Sequence, residues 1–456
     1  CPDHFDFHFY CYTDDSDGLQ SDIKVIPFPD IPNIHPKYWF GLDDFKYGMA
    51  RCWDRPKTFV FNTHNFADDL RAALPASRAE YWRYTKLHTL RDSGWQLAAN
   101  DTVPVTAEGI SELAAIDAAA TIVFVDGHYR SDLSDPPMAG LSLLPAGDIE
   151  MPAHTDYGDG FGALNARWNG GGLSLRFDAA CRDQLVHLKL VNSGNARASH
   201  PRIKISVSEG ASGSVLESHV GPQGEPYFVN QVSHFEVAAG GYLGFYKLQA
   251  EGDQAIHLAA TYAGLKADGR LDYFALQRGG STARNAVRVD MLGAAAWCRL
   301  GGAYLARDRQ QIDNTVLVDH AVADCASEQI FRGVLDDRAH GIFQGKIGVR
   351  RDAQRTAGAQ LSRALLLSRQ AEVSTKPELE IFADDVKCSH GATIGELDAD
   401  QLYYLRARGI PLSVARALLV EAFMIDAIDG IGAAIVRDAF SGAVRDWLTT
   451  QTEAST

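Results

Sequence analysis

A cysteine and a histidine two residues apart, Cys388 and His390, are the residues in this sequence whose types and spacing best suit chemistry. If residues 379–390 form a β-strand, its side chains alternate between two faces, so this pair projects from one side. A thiolate and a neutral imidazole bind borderline metals such as iron and zinc. Two ligands do not complete a coordination sphere. The pattern therefore predicts a site for iron, zinc or sulfur that a partner completes, or no metal at all.

Both residues also have an ordinary explanation. A single histidine at the end of a strand is commonly a surface residue that caps the sheet. A buried cysteine commonly behaves as a small apolar side chain, because only an accessible thiolate is reactive. The residues alone leave both explanations open.

The elements that position the pair are predicted to be strands. Short runs of alternating apolar and polar residues fill the region from about 165 to 390, as at 186–190, 203–207, 287–291 and 343–350. A period of two indicates half-buried strands. Helical periodicity is scarce here, which argues against a βαβ fold and leaves a sandwich, a barrel or a β-solenoid. No repeat of fixed length chooses among these three.

Helices are predicted on either side of the strand region. After residue 396, Asp398 is a candidate N-cap with Gln401 three residues later, and Gly409 and Pro411 end the helix. Further helices are predicted from Ser413 through Ile425 and over about 433–448. Packing against their own domain and binding a partner both remain open for them.

Before the strand region, a helical stretch is predicted over 66–85 with a stop at Pro75, and a buried strand over 119–125. The aromatic cluster at 80–85 is expected to be core rather than a ligand site.

Composition limits the class of protein. At 456 residues and 46% hydrophobic content, the chain can bury a large core, in two or three domains. The net charge of −15 argues against nucleic acid or an anionic membrane as the main partner. Acidic residues interrupt the most apolar stretch, 418–436, so no membrane span is expected. Seven widely spaced cysteines indicate a reducing compartment, and we expect a cytoplasmic protein.

Two glycine-rich segments are excluded as nucleotide sites. Residues 341–347 (GIFQGKI) are one residue too short for a phosphate loop, and Ile347 stands where magnesium needs a hydroxyl. Residues 158–162 (GDGFG) lack the third glycine of a dinucleotide fingerprint and are expected to be a loop. The chain itself is therefore not expected to hydrolyse ATP.

The residues around the Cys388 and His390 pair form long, specific runs. KPELE at 376–380 leads into DDVKCSHGAT at 384–393 and DQLYYLRARGI at 400–410, and further runs lie at 161–165, 246–249 and 330–335. These runs resemble the SufB/SufD family of iron–sulfur cluster assembly proteins of the SUF system, and its SufD branch in particular. The resemblance extends from about residue 70 to the end.

The resemblance implies a mainly β fold with a right-handed parallel β-helix core. It implies an N-terminal helical or α/β domain at 64–160, the β-helix at 161–392 and a C-terminal helical subdomain at 393–456.

Residues 1–63 lie outside the resemblance. They hold 14 of the 44 aromatic residues and no glutamate. We expect the natural start at Met49 or later, with a natural aromatic-rich extension as the alternative.

The resemblance further implies a non-catalytic scaffold subunit of the SufBCD complex. Such a subunit pairs with SufB through the β-helix and binds the ABC-type ATPase SufC. A homodimer is the expected alternative for the isolated chain.

His390 is the leading candidate for binding iron or a nascent cluster at the junction with SufB, and Cys388 is the weaker candidate. No cofactor is expected to be stably bound by the lone chain, whereas iron, a cluster or reduced flavin would bind transiently in the complex. The candidate residues for docking SufC are Leu402, Tyr403, Leu405, Arg406, Leu418 and Phe423.

Two other functions are alternatives to the SufD-type scaffold. A SufB-type scaffold is disfavoured by the Cys-Ser-His-Gly sequence at 388–391 and by the absence of a cysteine-pair motif near the N-terminus. A β-helix enzyme acting on polysaccharide would need several acid and base groups along one face of the solenoid, and the sequence shows no such set.

Overall fold

The computed structural model describes residues 10–11, 24–25, 65–76, 79–92, 94–99, 116–146, 160–179, 181 and 184–454. The chain forms two compact units, Cys1–Lys57 and Thr58–Thr456. In the first unit, β1 (Tyr10–Cys11) and β2 (Lys24–Val25) pair in parallel. Most of the predicted segment 1–63 lies outside the described residues. All of the candidate site residues belong to the second unit.

The second unit is dominated by two sheets whose strands alternate along the chain. The first sheet contains β3 (Gln96–Leu97), β6 (Leu141–Ala146), β7 (Gly172–Phe177), β9 (Arg197–Ser199), β10 (Arg202–Val207), β12 (Tyr227–Val237), β14 (Ala255–Leu265), β16 (Thr282–Met291), β18 (Gln311–His320), β20 (His340–Val349) and β22 (Glu372–Ile381). The second contains β4 (Ala120–Val125), β5 (His128–Tyr129), β8 (Leu185–Val191), β11 (Ser212–Val220), β13 (Tyr242–Gln249), β15 (Arg270–Gln277), β17 (Trp297–Ala306), β19 (Ala326–Leu335), β21 (Thr356–Leu366) and β23 (Val386–Gly395).

Strand pairing makes this unit a β-solenoid. From β10 to β21, each strand pairs in parallel with the strand two positions later, so the chain winds through about eight turns. The parallel strands of successive turns are stacked without a shift in register, so residues at the same position in each turn line up in columns. The columns of side chains that point inward form one continuous core. Leu175, Ile205 and Phe235 are among its fully buried members. The structure confirms the mainly β class and the solenoid, and it removes the sandwich and barrel alternatives.

Tight turns join the strands at the solenoid corners. Asp268, Asp308 and Asp337 have φ angles of 56°, 55° and 50° at such turns. Aspartate tolerates this left-handed conformation better than most residues, because its short carboxylate can bond to the local backbone.

The N-terminal part of the second unit consists of short helices packed on the first sheet. They are α1 (Phe66–Ala73), a 3₁₀ turn (Glu80–Trp82), α2 (His88–Asp92) and α3 (Phe161–Trp168). The predicted stretch over 66–85 is therefore helical only in part, because the chain becomes extended at Leu74, just before Pro75. The predicted buried strand is confirmed as β4. The predicted loop at 158–162 is wrong at its end, because Gly160 is the N-cap of α3.

Trp82 attaches this region to the solenoid. It is 7% exposed and shares a core with Phe66 and Phe161. The guanidinium carbon of Arg284 lies 4.1 Å from the centre of its ring, and Arg284 forms a buried ion pair with Asp313. Trp82 thus fits the prediction that the aromatic cluster is core.

The C-terminal helices are α4 (Ala399–Ala407), α5 (Leu412–Ile428) and α6 (Ala434–Ala454), so all three predicted helices are present, and α5 begins at Leu412 rather than at Ser413. The Asp398 carboxylate accepts hydrogen bonds from the backbone N–H groups of Asp400 and Gln401. Helices α5 and α6 cover the outer face of the second sheet, where Phe440 contacts Phe274 with ring centres 6.0 Å apart.

Buried histidines predict that stability falls in mild acid. Burial lowers the pKa of His187 and His200 to about 3, so both stay neutral in the folded chain. The unfolded chain takes up protons as the pH falls through about 6.5, so the free energy of unfolding falls by about 1.4 kcal/mol per histidine between pH 7.5 and 5.5. We therefore expect a lower urea midpoint at pH 5.5 than at pH 7.5.

The pH range over which stability is expected to fall identifies the buried histidines as the cause. Burial also lowers the pKa of His257 and His320 to about 4, and these two act in the same direction. A His187→Gln/His200→Gln variant should lose part of the pH dependence, whereas exposed His88→Gln should keep all of it. Equal midpoints for the unmodified chain at both pH values would contradict this explanation.

Candidate functional site

The last strands of the two sheets form an open edge at the C-terminal end of the solenoid. Within the described residues, β22 pairs only with β20 and β23 pairs only with β21. We call β22 and β23 together the C-terminal edge. The predicted strand at 379–390 is therefore two strands, because the chain turns a solenoid corner between Ile381 and Val386. Cys388 and His390 both lie on β23, at alternate positions.

Cys388 faces the solenoid interior. It is a free, half-buried cysteine that packs against a small apolar cluster containing Ile347 and Leu379. Its register partner is Gly358, and a Cβ added there would lie 3.4 Å from the Cys388 sulfur. Burial raises the pKa of the Cys388 thiol, so it is protonated at neutral pH in the isolated chain. In this state Cys388 is a weak metal ligand.

His390 is exposed and ends a column of interior polar side chains. Its register partner on β21 is Gln360, and the register partner of Gln360 on β19 is Gln329. The Gln360 side-chain amide donates to Oε1 of Gln329 at 2.6 Å, and both residues are buried. The Gln360 carbonyl oxygen is buried without a hydrogen-bond partner. His390 therefore lies where this polar column reaches the C-terminal edge.

The C-terminal edge also presents apolar surface. Ile381, Phe382 and Ile394 are 38%, 49% and 44% exposed. An open edge with apolar side chains is a template for pairing with another chain, and proteins normally cover it. Pro377 in β22 donates no backbone hydrogen bond, a property tolerated on edge strands.

The six candidate docking residues at the helical end fall into two groups. Helix α4 has no buried residue; Tyr403 and Arg406 are exposed, while Leu402 and Leu405 are half-buried. Tyr403 and Leu418 are 76% and 43% exposed. Phe423 instead packs toward the solenoid, with its ring centre 4.9 Å from the guanidinium carbon of Arg332. Its backbone oxygen accepts a 2.8 Å hydrogen bond from the same guanidinium group.

The segment excluded as a phosphate loop is part of a strand. Residues 341–347 lie within β20, where the backbone N–H groups serve the sheet ladder rather than a ligand.

Sequence reasoning missed a second group of ionisable residues, buried inside the solenoid. We call Glu217, His219, Lys247, Glu251 and His257 the interior cluster, and all five are at most 3% exposed. The available sequence signal was the Glu-Ser-His run at 217–219. Glu217 and His219 are two residues apart, and this spacing puts both ionisable side chains on one face of a strand. In the structure that face points into the solenoid interior, where ionisable side chains are unusual.

A family model described as the SufBD core domain of SUF system iron–sulfur cluster assembly matches residues 190–423, just over half of the chain. The chain belongs to the SufB/SufD family. The matched range covers the solenoid from β8 onward, the C-terminal edge with Cys388 and His390, and helices α4 and most of α5.

Three relatives align with most of this chain, and two of them carry the SufD name or the SufBD family name. The chain is 29% identical to the iron-sulfur cluster assembly protein SufD of Escherichia coli K12, over 79% of this chain and 86% of the relative. It is 29% identical to the chloroplastic protein ABCI7 of Arabidopsis thaliana, over 83% and 84%. A SufBD family protein of Synechocystis is also 29% identical, over 82% and 88%.

Membership in the SufB/SufD family supports a role in iron–sulfur cluster assembly. In the part of the chain that the structure describes, no helix combines the length and apolar character of a membrane span.

Proposed function

We propose that this chain is the SufD-type scaffold subunit of a cytoplasmic SufBCD complex, and that it has no catalytic turnover of its own. The observation that carries the proposal is the C-terminal edge: two strands that are each paired on one side only, exposed apolar residues and His390 lie together there. A solenoid of the same kind in SufB can continue both sheets by strand addition. The pairing would bury the apolar residues and remove two open edges.

Strand addition would also enclose His390. Paired strands lie about 4.8 Å apart, so side chains of a SufB strand would face Cys388 and His390 directly. His390 would supply an imidazole, and SufB would supply thiolate or other ligands, for iron or a nascent cluster. Iron and the cluster are cargo in this proposal, and reduced flavin would serve as a transient electron donor in the complex.

The helical end is the proposed binding site for the SufC ATPase. Helix α4 has no buried residue, and Tyr403 with neighbouring Tyr404 forms an exposed aromatic surface on it. Aromatic residues are enriched at the centres of protein interfaces. Helices α5 and α6 are attached to the second sheet, so a force applied to them by a SufC dimer would reach the solenoid. ATP-driven movement would then open the junction at His390.

The test of the proposed function is the mass of the complex formed when the full chain is co-expressed with SufB and SufC. We expect a species with one SufB, two SufC and one copy of this chain. Well-folded partners that do not associate with it would refute the scaffold role. Strong depolymerisation of a polysaccharide by the chain alone would support the enzyme alternative instead.

Substitutions on the exposed helical surface should separate SufC binding from SufB binding. Tyr403→Asp and Leu418→Asp are each expected to weaken SufC binding by about tenfold or more, because each places a charge in an apolar contact. Pairing with SufB should be unchanged. Calorimetric titration of the chain with SufC measures the effect.

Leu144→Asp is the matched control, because Leu144 is 54% exposed on β6, at the opposite end of the first sheet. Equal SufC affinity for Tyr403→Asp, Leu418→Asp and Leu144→Asp would remove the helical surface from the docking site.

A further inference from the structure

Three members of the interior cluster converge on one point inside the solenoid. His219 lies near the end of β11, Glu251 lies in the connection from β13 to β14, and His257 lies on β14. One nitrogen of each imidazole and one carboxylate oxygen of Glu251 all lie within 4.8 Å of one another. The two imidazole rings are perpendicular, with centres 4.6 Å apart. None of the three side chains is more than 2% exposed.

His219 is oriented with one nitrogen left available. Its Nε2 lies 2.8 Å from Oε1 of Glu217 in a hydrogen bond, whereas its Nδ1 is buried without a partner. Glu217 is held in turn by the Lys247 ammonium at 3.3 Å and by the Gln231 amide at 2.7 Å. A carboxylate on the far nitrogen fixes the tautomer of a histidine and makes the near nitrogen more basic, the usual support of a metal-binding histidine.

His257 and Glu251 complete the set of donors. Nδ1 of His257 lies 2.8 Å from Oε2 of Glu251, and its Nε2 is buried without a hydrogen-bond partner. A buried polar atom without a partner costs about 1–3 kcal/mol, so this arrangement is unfavourable without a ligand. Glu251 is positioned by two amides, with Gln249 donating at 3.0 Å and Asn192 at 3.3 Å.

The charges of the interior cluster favour a cation. The cluster holds two carboxylates, those of Glu217 and Glu251, and one ammonium, that of Lys247, and all three side chains are at most 3% exposed. A buried net negative charge is costly unless a cation balances it.

We propose that His219, Glu251 and His257 bind a divalent first-row transition metal ion, Zn²⁺ or Fe²⁺, inside the solenoid. Two neutral imidazoles and one carboxylate are suitable ligands for both ions. Small side-chain rotations would bring the three donors to bond lengths of about 2.0–2.2 Å. The ion would join the two sheets, because His219 belongs to the second sheet and His257 to the first.

This site is separate from His390 and does not depend on the proposed function. It also departs from the sequence-based expectation that the isolated chain binds no metal stably. Because the three residues are inaccessible to solvent, the ion would enter during folding, and its role would be to stabilise the solenoid.

The test uses the full chain, refolded with Zn²⁺, desalted, and analysed for metal by mass spectrometry. We expect about one zinc ion per chain. A Cys388→Ser/His390→Ala variant should retain it, and His257→Gln should lose it. His320→Gln is the matched control, because His320 is equally buried and bonds only to the Ser327 hydroxyl at 2.8 Å. It should retain zinc.

Three results would overturn the site: no zinc in the unmodified chain, equal zinc in His257→Gln, or loss of all zinc from the Cys388→Ser/His390→Ala variant. Should His257→Gln fail to fold, the unmodified chain refolded with Co²⁺ decides the question by X-ray absorption. Coordination by nitrogen and oxygen alone supports the site. Sulfur ligands, or no bound cobalt, contradict it.

Discussion

Replacing His390 with alanine is expected to abolish cluster formation by the assembled complex while leaving the complex itself intact. His390 is exposed on the edge strand β23, so its removal creates no cavity and should not change the stability of the chain. If His390 is a direct ligand, as proposed, its loss should reduce the cluster yield by at least about tenfold, because losing even a residue that supports a metal ligand costs about that much. Visible absorption and acid-labile sulfide of the reconstituted complex measure the yield.

Two comparisons make the His390 result specific. His88→Ala removes another exposed histidine, on α2 and far along the sequence from the edge, and should leave the cluster yield unchanged. The mass of the His390→Ala complex should equal that of the unmodified complex. An unchanged yield would remove His390 from the mechanism, and a lost complex would assign it to subunit pairing instead.

The second large effect is expected from Lys247→Met, which keeps the length of the side chain and removes its charge. Lys247 is buried between Glu217, at 3.3 Å, and the Gln231 amide oxygen, at 3.0 Å. The substitution leaves Glu217 ionised in the solenoid interior without its cation. Breaking a buried ion pair in this way costs about 3–5 kcal/mol. Urea unfolding, followed by far-ultraviolet circular dichroism, should show a clearly lower midpoint.

A surface pair provides the control for Lys247. The Lys204 ammonium lies 2.8 Å from Glu236, whose side chain is 50% exposed, so Lys204→Met should cost at most about 1 kcal/mol. Adding Glu217→Gln to Lys247→Met should restore much of the loss, because the unpaired charge is then removed as well. Equal midpoints for Lys247→Met and the unmodified chain would show that the ion pair contributes nothing to stability.

Local signals explain which parts of the fold were predictable. The alternation at 203–207 indicated a strand because inward Ile203 and Ile205 must be apolar, and the same two residues are fully buried in β10. The start of α4 was predictable because an N-cap needs only its own side chain and the next few N–H groups, as Asp398 shows. The resemblance then selected the solenoid among folds with the same alternation.

The site was predictable only in part. The spacing of Cys388 and His390 correctly put them on one strand at alternate positions, since that follows from the strand period. The corner between Ile381 and Val386 was missed, because the residues between them (FADD) include no glycine or proline to mark a turn. Helix α3 was missed for a related reason: eight residues with three glycine or alanine positions carry little periodic signal.

The sequence by itself determined the strand period, the helix caps, the family and the pair at 388 and 390, because each depends on residues close together in the chain or on long recognisable runs. The tertiary structure alone decided that β22 and β23 are open edges and that Phe423 faces the solenoid while Tyr403 does not. It also brought His219, Glu251 and His257 together. Their convergence depends on the register between neighbouring strands and on which side chains point into the solenoid interior after each corner. Neither follows from the spacing of residues along the chain.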